Sequence, residues 1–370
     1  MHLQTLSLLN FKNYADASLQ FSEKINCFVG ENGVGKTNLL DAIHYLALCK
    51  SSFNPVDTQN IRFDEEFAVI QGVYRKEEKE EQIYCSIRRQ KNKIFKRNKK
   101  EYQRLADHIG LFPLVMISPS DSSLITGGSE ERRRFLNEVM AQFDRNYLEN
   151  VILYNRALQQ RNRLLKDFAV SGSFQRDLLE VWDEQLILYG EPVFRAREAF
   201  ISSLLPVFRE IYAHVSGHKE EVEMKYESPL HEATFRDLLA LNLQKDRALQ
   251  YTSAGVHKDD LVMTLGPLPL KKIGSQGQQK TLLVALKLAE FEYISREKGL
   301  KPTLLLDDLF DKFDRNRVRQ IIQLVAENRF GQIFISDTNE DRLLGIIREI
   351  PVAHRIFRIS RGGTVEQLTD

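Results

Sequence analysis

Apolar and polar positions change their rhythm along the chain. Up to about residue 117 the spacing is that of strands: HLQTLSLLNF (2–11), INCFVG (25–30), FAVIQGVYR (67–75) and EQIYCSIRR (81–89). KEEKEE reads as a solvated turn between the last two. The basic run 88–100 reads as the tip and return of another hairpin. One helix interrupts this pattern. TNLLDAIHYLALCK (37–50) places Leu39, Leu40, Ile43, Leu46 and Ala47 on one face.

From Ser118 the spacing turns helical. Amphipathic stretches cover 131–168, 174–190 and 191–217, interrupted at SGS and at LLPVF, with no sustained heptad. Ser129 is placed as an N-cap, with Glu130 and Glu131 at the positive end of the helix dipole. From Leu261 strands and helices alternate. TLLVALKLAEFEYI is a helix, PTLLLDD a buried strand, VRQIIQLVAEN a helix and QIFISDT a second buried strand. RIFRISRGGTVEQL closes the chain as a hairpin turning at Gly362–Gly363. The reading is therefore α/β: a nucleotide-binding head from 1–117 and 256–370, with a mostly helical arm, 118–255, inserted between.

Composition narrows the function classes only a little. With 42% hydrophobic and 28% charged residues the chain can bury a sizeable core. A net charge of +1 leaves any nucleic acid to be met by a local basic surface. Cys27, Cys49 and Cys85 have no metal-ligand spacing and suit packing roles in a reducing compartment. No secretory leader and no run of 18 apolar residues is present, so a cytoplasmic protein without a membrane partner is expected.

The chemistry concentrates in three places. GENGVGKTN (30–38) fits G-x-x-x-x-G-K-[ST], between a strand and a helix. Backbone amides of Gly30, Glu31, Asn32, Gly33, Val34 and Gly35 would surround phosphate oxygens; Lys36 would reach the β- and γ-phosphates and Thr37 would ligate Mg²⁺. TLLLDDLF supplies the carboxylates near the other end of the chain. Asp307 is the candidate Mg²⁺ ligand. Asp308 either orients the attacking water or caps a loop. Between them, Ser275, Gly277 and Gln278 head the helix GSQGQQKTLLVALKLAE, with Thr281 one turn in.

This layout resembles the ATP-binding-cassette ATPases, where such a Ser-Gly helix start contacts the γ-phosphate held by a second subunit. FDKFD, ending at Asp314, stands where that class has a subunit-contacting loop. SDTN, with Asp337 and Thr338, lacks the switch His of transporter-type cassettes. NFKNY (10–14), GENGVGKTNLLDAI, EERRRFLNE (130–138), TSAGVHKDDL (252–261) and SQGQQKTL are similar to the RecF family within the structural-maintenance-of-chromosomes (SMC) branch. The resemblance implies a homodimer formed on ATP and Mg²⁺, slow DNA-dependent ATP hydrolysis, and binding of single- and double-stranded DNA. It implies repair of gapped or stalled-replication DNA, assisting RecA loading with RecO and RecR. It also brings Lys12 and Asn13 near the nucleotide, unless they are a polar strand end. Two stretches depart from the family: GVHKDD and DLFDKFD.

Other readings compete. A transporter subunit is opposed by SDTN and the arm, and an ATPase-nuclease by the lack of room for a further acidic metal domain. A scaffold that binds ATP without hydrolysis remains open through Asp308 and FDKFD. For DNA, Lys91, Lys93, Lys96 and Arg97 in the basic run are the candidates, against a solvated hairpin face. Arg132, Arg133 and Arg134 oppose their helix dipole and call for either DNA or an acidic neighbour. HKDD (257–260) is either a His/Asp metal site or a structural network.

Overall fold

A computed structural model describes residues 1–217, 222–266, 268–269, 275–308, 331–347 and 352–368. FDKFD with Asp314, and the helix expected at VRQIIQLVAEN, lie outside the described residues. The chain forms two compact units, Met1–Ser120 with Phe291–Asp370, and Asp121–Glu290. GVHKDD and the start of the Ser275 helix fall in the second.

The N-terminal part of the first unit contains β1 (His2–Phe11), β2 (Tyr14–Gln20), β3 (Ile25–Val29), α1 (Lys36–Leu48), β4 (Phe67–Lys76), β5 (Lys79–Arg88), β6 (Ile94–Arg97), β7 (Lys100–Glu101) and β8 (Leu114–Ile117). The second unit has α2 (Ser123–Thr126), α3 (Ser129–Ala141), α4 (Arg145–Ser171), α5 (Arg176–Ser216), β9 (Val222–Glu227), α6 (Phe235–Leu249), β10 (Asp260–Leu265), β11 (Leu268–Pro269) and most of α7 (Gln276–Lys298). The chain then returns to the first unit with β12 (Thr303–Asp307), β13 (Ile333–Asp337), α8 (Glu340–Ile347), β14 (His354–Ser360) and β15 (Thr364–Leu368).

Two sheets build the first unit. One runs β2-β1-β4-β5-β6-β7 and is antiparallel; the other runs β15-β14-β3-β13-β12-β8 and is parallel except for β15. Strands β3, β12 and β13 are buried at every residue, which is why their sequences read as solid apolar runs rather than alternations. Helix α1 is buried around nearly its whole circumference, not only on its leucine face. Phe21, Phe28, Phe334 and Phe357 meet in the shared core, with Phe21 edge-on to Phe334 at 4.8 Å. Each such side chain contributes about 1.5–3 kcal/mol by leaving water. Pairing of β1 with β2 begins only at Thr5, and the buried amide of Gln332 satisfies both backbone groups of Leu3, at 2.7 and 2.8 Å.

The second unit departs from the sequence reading in four places. Its three-stranded sheet, β11-β10-β9, includes a strand in the stretch read as mostly helical. VEMKYE buries Val222, Met224 and Tyr226 and exposes the charges between them, a period of two that a window of neighbouring helices averages away. The stretch 131–168 is two helices, because Asp144 accepts from the amide of Tyr147 and starts a new one. Ser129 is the first helical residue, not the cap; Gly128 precedes it. Helix α5 runs unbroken through Pro192 and Pro206. Each proline removes one backbone bond, and the buried row Val193, Arg197, Phe200, Leu204, Phe208 and Tyr212 holds the helix across them.

Candidate functional site

Strand β3 delivers the chain into the glycine-rich loop and α1 receives it. Gly30, Gly33 and Gly35 have φ of 151°, 80° and 116°, values that side chains resist. A Cβ at Gly30 would strike the carbonyl of Ile359, and one at Gly35 would lie 2.8 Å from Asn13 Oδ1. Glu31, Asn32 and Gly33 are exposed at the rim, and Val34 is buried beneath. Helix α1 starts with no side-chain cap and no acid in its own first turn, so no side chain of the helix competes for the amides and the positive dipole end there, an arrangement that suits an anion. Lys36 is buried, its ammonium donating to the carbonyls of Gly30 and Glu31 at 2.7 and 2.8 Å.

The two chain ends meet at Thr37. Its hydroxyl donates to Asp307 Oδ1 at 2.8 Å. Strand β12 ends at Asp307, and the parallel register sets Ser336 of β13 beside it. The Ser336 hydroxyl donates to Asp307 Oδ1 at 2.7 Å and accepts from the amide of Asp308 at 2.9 Å. Burial pushes the Asp307 carboxyl up, while the bonds from Ser336 and Thr37 and the Lys36 charge pull it back. A carboxylate and a hydroxyl oxygen beside a lysine suit a hard cation bridging to phosphate. Asp308 follows with φ of 44°, an uncommon backbone state for a non-glycine residue and one that recurs at working sites. Ser336 was missed in the sequence because its place beside Asp307 depends on strand order.

Lys12 and Asn13 separate. Asn13 donates to the Val34 carbonyl at 2.9 Å and accepts from Asn38 at 2.6 Å, so it braces the loop. The Lys12 ammonium is 2.6 Å from Asp41, a fully buried carboxylate one turn beyond Thr37 in α1. That pairing seats Lys12 against the helix behind the loop.

In the second unit, Ser275 and Gln278 cap α7 reciprocally: the Ser275 amide donates to Gln278 Oε1 at 2.7 Å, and the Gln278 amide to Ser275 Oγ at 3.3 Å. Thr281 donates to the Gly277 carbonyl at 2.9 Å. Ser275 and Gly277 are exposed, and among the described residues only Ser275 Oγ, at 4.0 Å, would touch a Cβ at Gly277.

Among the described residues, the basic run divides between paired and unpaired positions. Lys93 turns inward, donating to the Cys49 carbonyl at 2.6 Å and pairing with Asp57 at 3.0 Å. Arg97 is held by both oxygens of Glu81, at 2.8 and 2.6 Å. Lys91 stays exposed, and Lys96 lies over the Tyr84 ring. The arginines of α3 find acidic neighbours: Arg132 takes both oxygens of Asp260, at 2.6 and 2.9 Å, and Arg134 pairs with Glu138. Arg133 donates to the Asp259 carbonyl. HKDD is a structural network. His257 bonds Tyr154 and the Thr252 carbonyl, while Asp259 takes Arg197 and Tyr226. Among the described residues no cluster of three or more His, Cys, Asp or Glu could hold a metal. Nor is any described helix long and apolar enough to cross a membrane.

Residues 2–354 match the family described as RecF/RecN/SMC N terminal domain. The DNA replication and repair protein RecF of Phocaeicola vulgatus is 50% identical over 369 residues, covering 99% of both chains. That of Parabacteroides distasonis is 51% identical over 362 residues, covering 98% of both. Among solved structures, the recombination mediator protein RecF-ATP in the RecFOR pathway superposes with a TM-score of 0.90 at 29% identity, covering 100% of this chain and 98% of that one. The Smc head domain from Pyrococcus furiosus shares the fold at a TM-score of 0.58 and 18% identity, covering 100% of this chain and 96% of that one.

Proposed function

The chain belongs to the RecF family, and from that premise we propose that it is an ATP-gated DNA clamp acting in replication-associated repair. The observation that carries this reading is the bond from Thr37 to Asp307, which joins a phosphate loop and an acidic strand end across 270 positions. Gly30–Thr37 hold the triphosphate, and Lys36 leaves its loop carbonyls for the β- and γ-phosphates. Thr37 and Asp307 would hold Mg²⁺, which when bound would offset phosphate charge. Asp308, at the strand end, positions the attacking water.

Each nucleotide is shared between Gly30–Thr37 of one copy and Ser275, Gly277 and Gln278 of a second. ATP thus favours the dimer over separate copies, and slow hydrolysis releases it. Lys91 and Lys96 contact DNA phosphates without reading sequence. RecR, RecO and RecA are the partners that the family premise supports, on gapped DNA with single- and double-stranded parts.

The test is light scattering with and without Mg·ATP. The wild type should double in mass with ATP, and Lys36→Ala should remain a monomer. A wild type whose mass ignores ATP, or a Lys36→Ala variant that still dimerises, would sink the reading.

A further inference from the structure

A phosphate loop works only if its amides are aimed, and a trans peptide sets each amide opposite the preceding carbonyl. Pinning the carbonyl of residue 34 therefore aims the amide of Gly35, and pinning that of Gly35 aims the amide of Lys36. Both carbonyls receive a bond from outside the loop: Asn13 donates to the Val34 oxygen at 2.9 Å, and the Tyr14 hydroxyl donates at 3.0 Å to the Gly35 oxygen, which also accepts from the amides of Asn38 and Leu39 at 3.0 and 3.3 Å, so Tyr14 adds the one side-chain bond that fixes its direction. Tyr14 is completely buried.

What seats Tyr14 is the other end of the chain. Gly363, with φ of 79°, closes the turn between β14 and β15, its amide donating to the Ser360 carbonyl at 3.1 Å. A Cβ at Gly363 would lie 2.9 Å from Tyr14 Cδ1 and 3.2 Å from Cε1, so only a glycine lets the ring lie there. The same hairpin reaches the loop's first glycine, where the Ile359 carbonyl fills the space of a Gly30 side chain.

We infer that the C-terminal hairpin is a third element of the nucleotide site, in which Gly363 seats Tyr14 and Tyr14 aims the loop amides at the phosphates. Tyr14 is a positioning residue: its hydroxyl sets how well the triphosphate is held, not how fast the bound nucleotide is cleaved. This rests on the reading of the loop as an ATP site.

The experiment is a titration of the full-length protein with mant-ATP and Mg²⁺, with steady-state hydrolysis alongside, for wild type, Tyr14→Phe, Gly363→Ala, the double variant and Lys36→Ala. Losing one hydrogen bond to the loop should raise Kd and KM about fivefold to tenfold in Tyr14→Phe, with kcat within about twofold. Gly363→Ala should do the same, and the double variant should be no weaker than the worse single one, because both act through one hydroxyl. Wild-type affinity in Tyr14→Phe, a fall in kcat at unchanged KM, or multiplying effects in the double variant would overturn the inference. Tyr14→Phe keeps the ring in the core and decides the matter if Gly363→Ala does not fold. Lys36→Ala separates the two failures. If it loses affinity while Tyr14→Phe does not, the hairpin inference alone falls; if wild type itself does not bind, the loop reading falls with it.

Discussion

Acid should loosen the helix that carries the phosphate loop, through one histidine. His108 has no exposed surface; its Nε2 lies 2.8 Å from the Leu46 carbonyl in the last turn of α1, and its Nδ1 3.1 Å from the Tyr102 hydroxyl. The first contact requires an N–H, which puts a proton on Nε2; burial disfavours a second proton, so the ring is neutral and Nδ1 accepts from the Tyr102 hydroxyl. Burial lowers its pKa from 6.5 to about 4. The unfolded chain takes up a proton below pH 6.5 that the native state refuses, so stability is complete above that pH and falls as the pH drops towards 4. At about 1.4 kcal/mol for each pH unit, the loss is about 2 kcal/mol at pH 5 and about 3 at pH 4. His108→Gln keeps a donor for Leu46 but cannot titrate. It should start less stable at pH 7, having lost ring contacts with Phe95 and Phe112, and should then fall less steeply between pH 7 and 5. Urea denaturation followed by circular dichroism at fixed pH values measures both slopes. The single tryptophan, Trp182 in α5, reports the other unit and serves as an internal control. Parallel pH curves for wild type and His108→Gln would refute the reasoning.

Other perturbations follow from the same contacts. Asp308→Asn should leave ATP-driven dimerisation intact and slow turnover at least tenfold; unchanged single-turnover rates would remove Asp308 from the chemistry. Lys91→Ala with Lys96→Ala should weaken duplex binding and lower its salt slope by about one per lost phosphate contact, read by fluorescence anisotropy at several salt concentrations. Lys93→Ala should instead cost about 1–2 kcal/mol of stability, by taking a donor from Cys49 and Asp57, and leave the slope alone; a flattened slope would return Lys93 to the DNA surface. Arg197→Met should destabilise the second unit by about 3–5 kcal/mol, because the fully buried Asp259 loses its cation. A Trp182 unfolding midpoint like that of wild type would contradict this.

Local pattern decided what the sequence could show. INCFV, TLLLD and QIFISD are apolar on both faces because both faces are covered; the last two announced themselves as interior strands, and INCFV as a strand running into the glycine-rich loop. The closing hairpin was equally legible, since two consecutive glycines with φ of 82° and 79° leave little else for that segment to do. What escaped was whatever depends on partners distant in sequence. Lys93 and Arg97 belong to a run that looks uniformly solvated, and only the fold shows that Asp57 and Glu81 hold them. Lys12 is answered by Asp41, and a strand end reveals nothing of that. Ser336 is an ordinary serine until the order β3-β13-β12 sets it between the loop's strand and Asp307.

That order explains why the loop and the acidic strand can lie so far apart in sequence. Both neighbours of β3 are strands that begin after residue 330, and β12 has β8 on its other side, so no contiguous piece of the chain contains the central sheet. A loop gripped by Asn13, Tyr14 and Ile359 is fixed only when both ends are in place. The glycines divide accordingly. Gly30 and Gly35 answer to contacts made inside this fold. Gly277 answers to none among the described residues: its φ is not positive, and its missing side chain would meet only Ser275 Oγ at the edge of contact. Alanine there would stabilise the helix by up to about 1 kcal/mol. Among the described residues nothing requires this glycine at the exposed start of α7, which supports the proposal that a nucleotide held on a second copy approaches it.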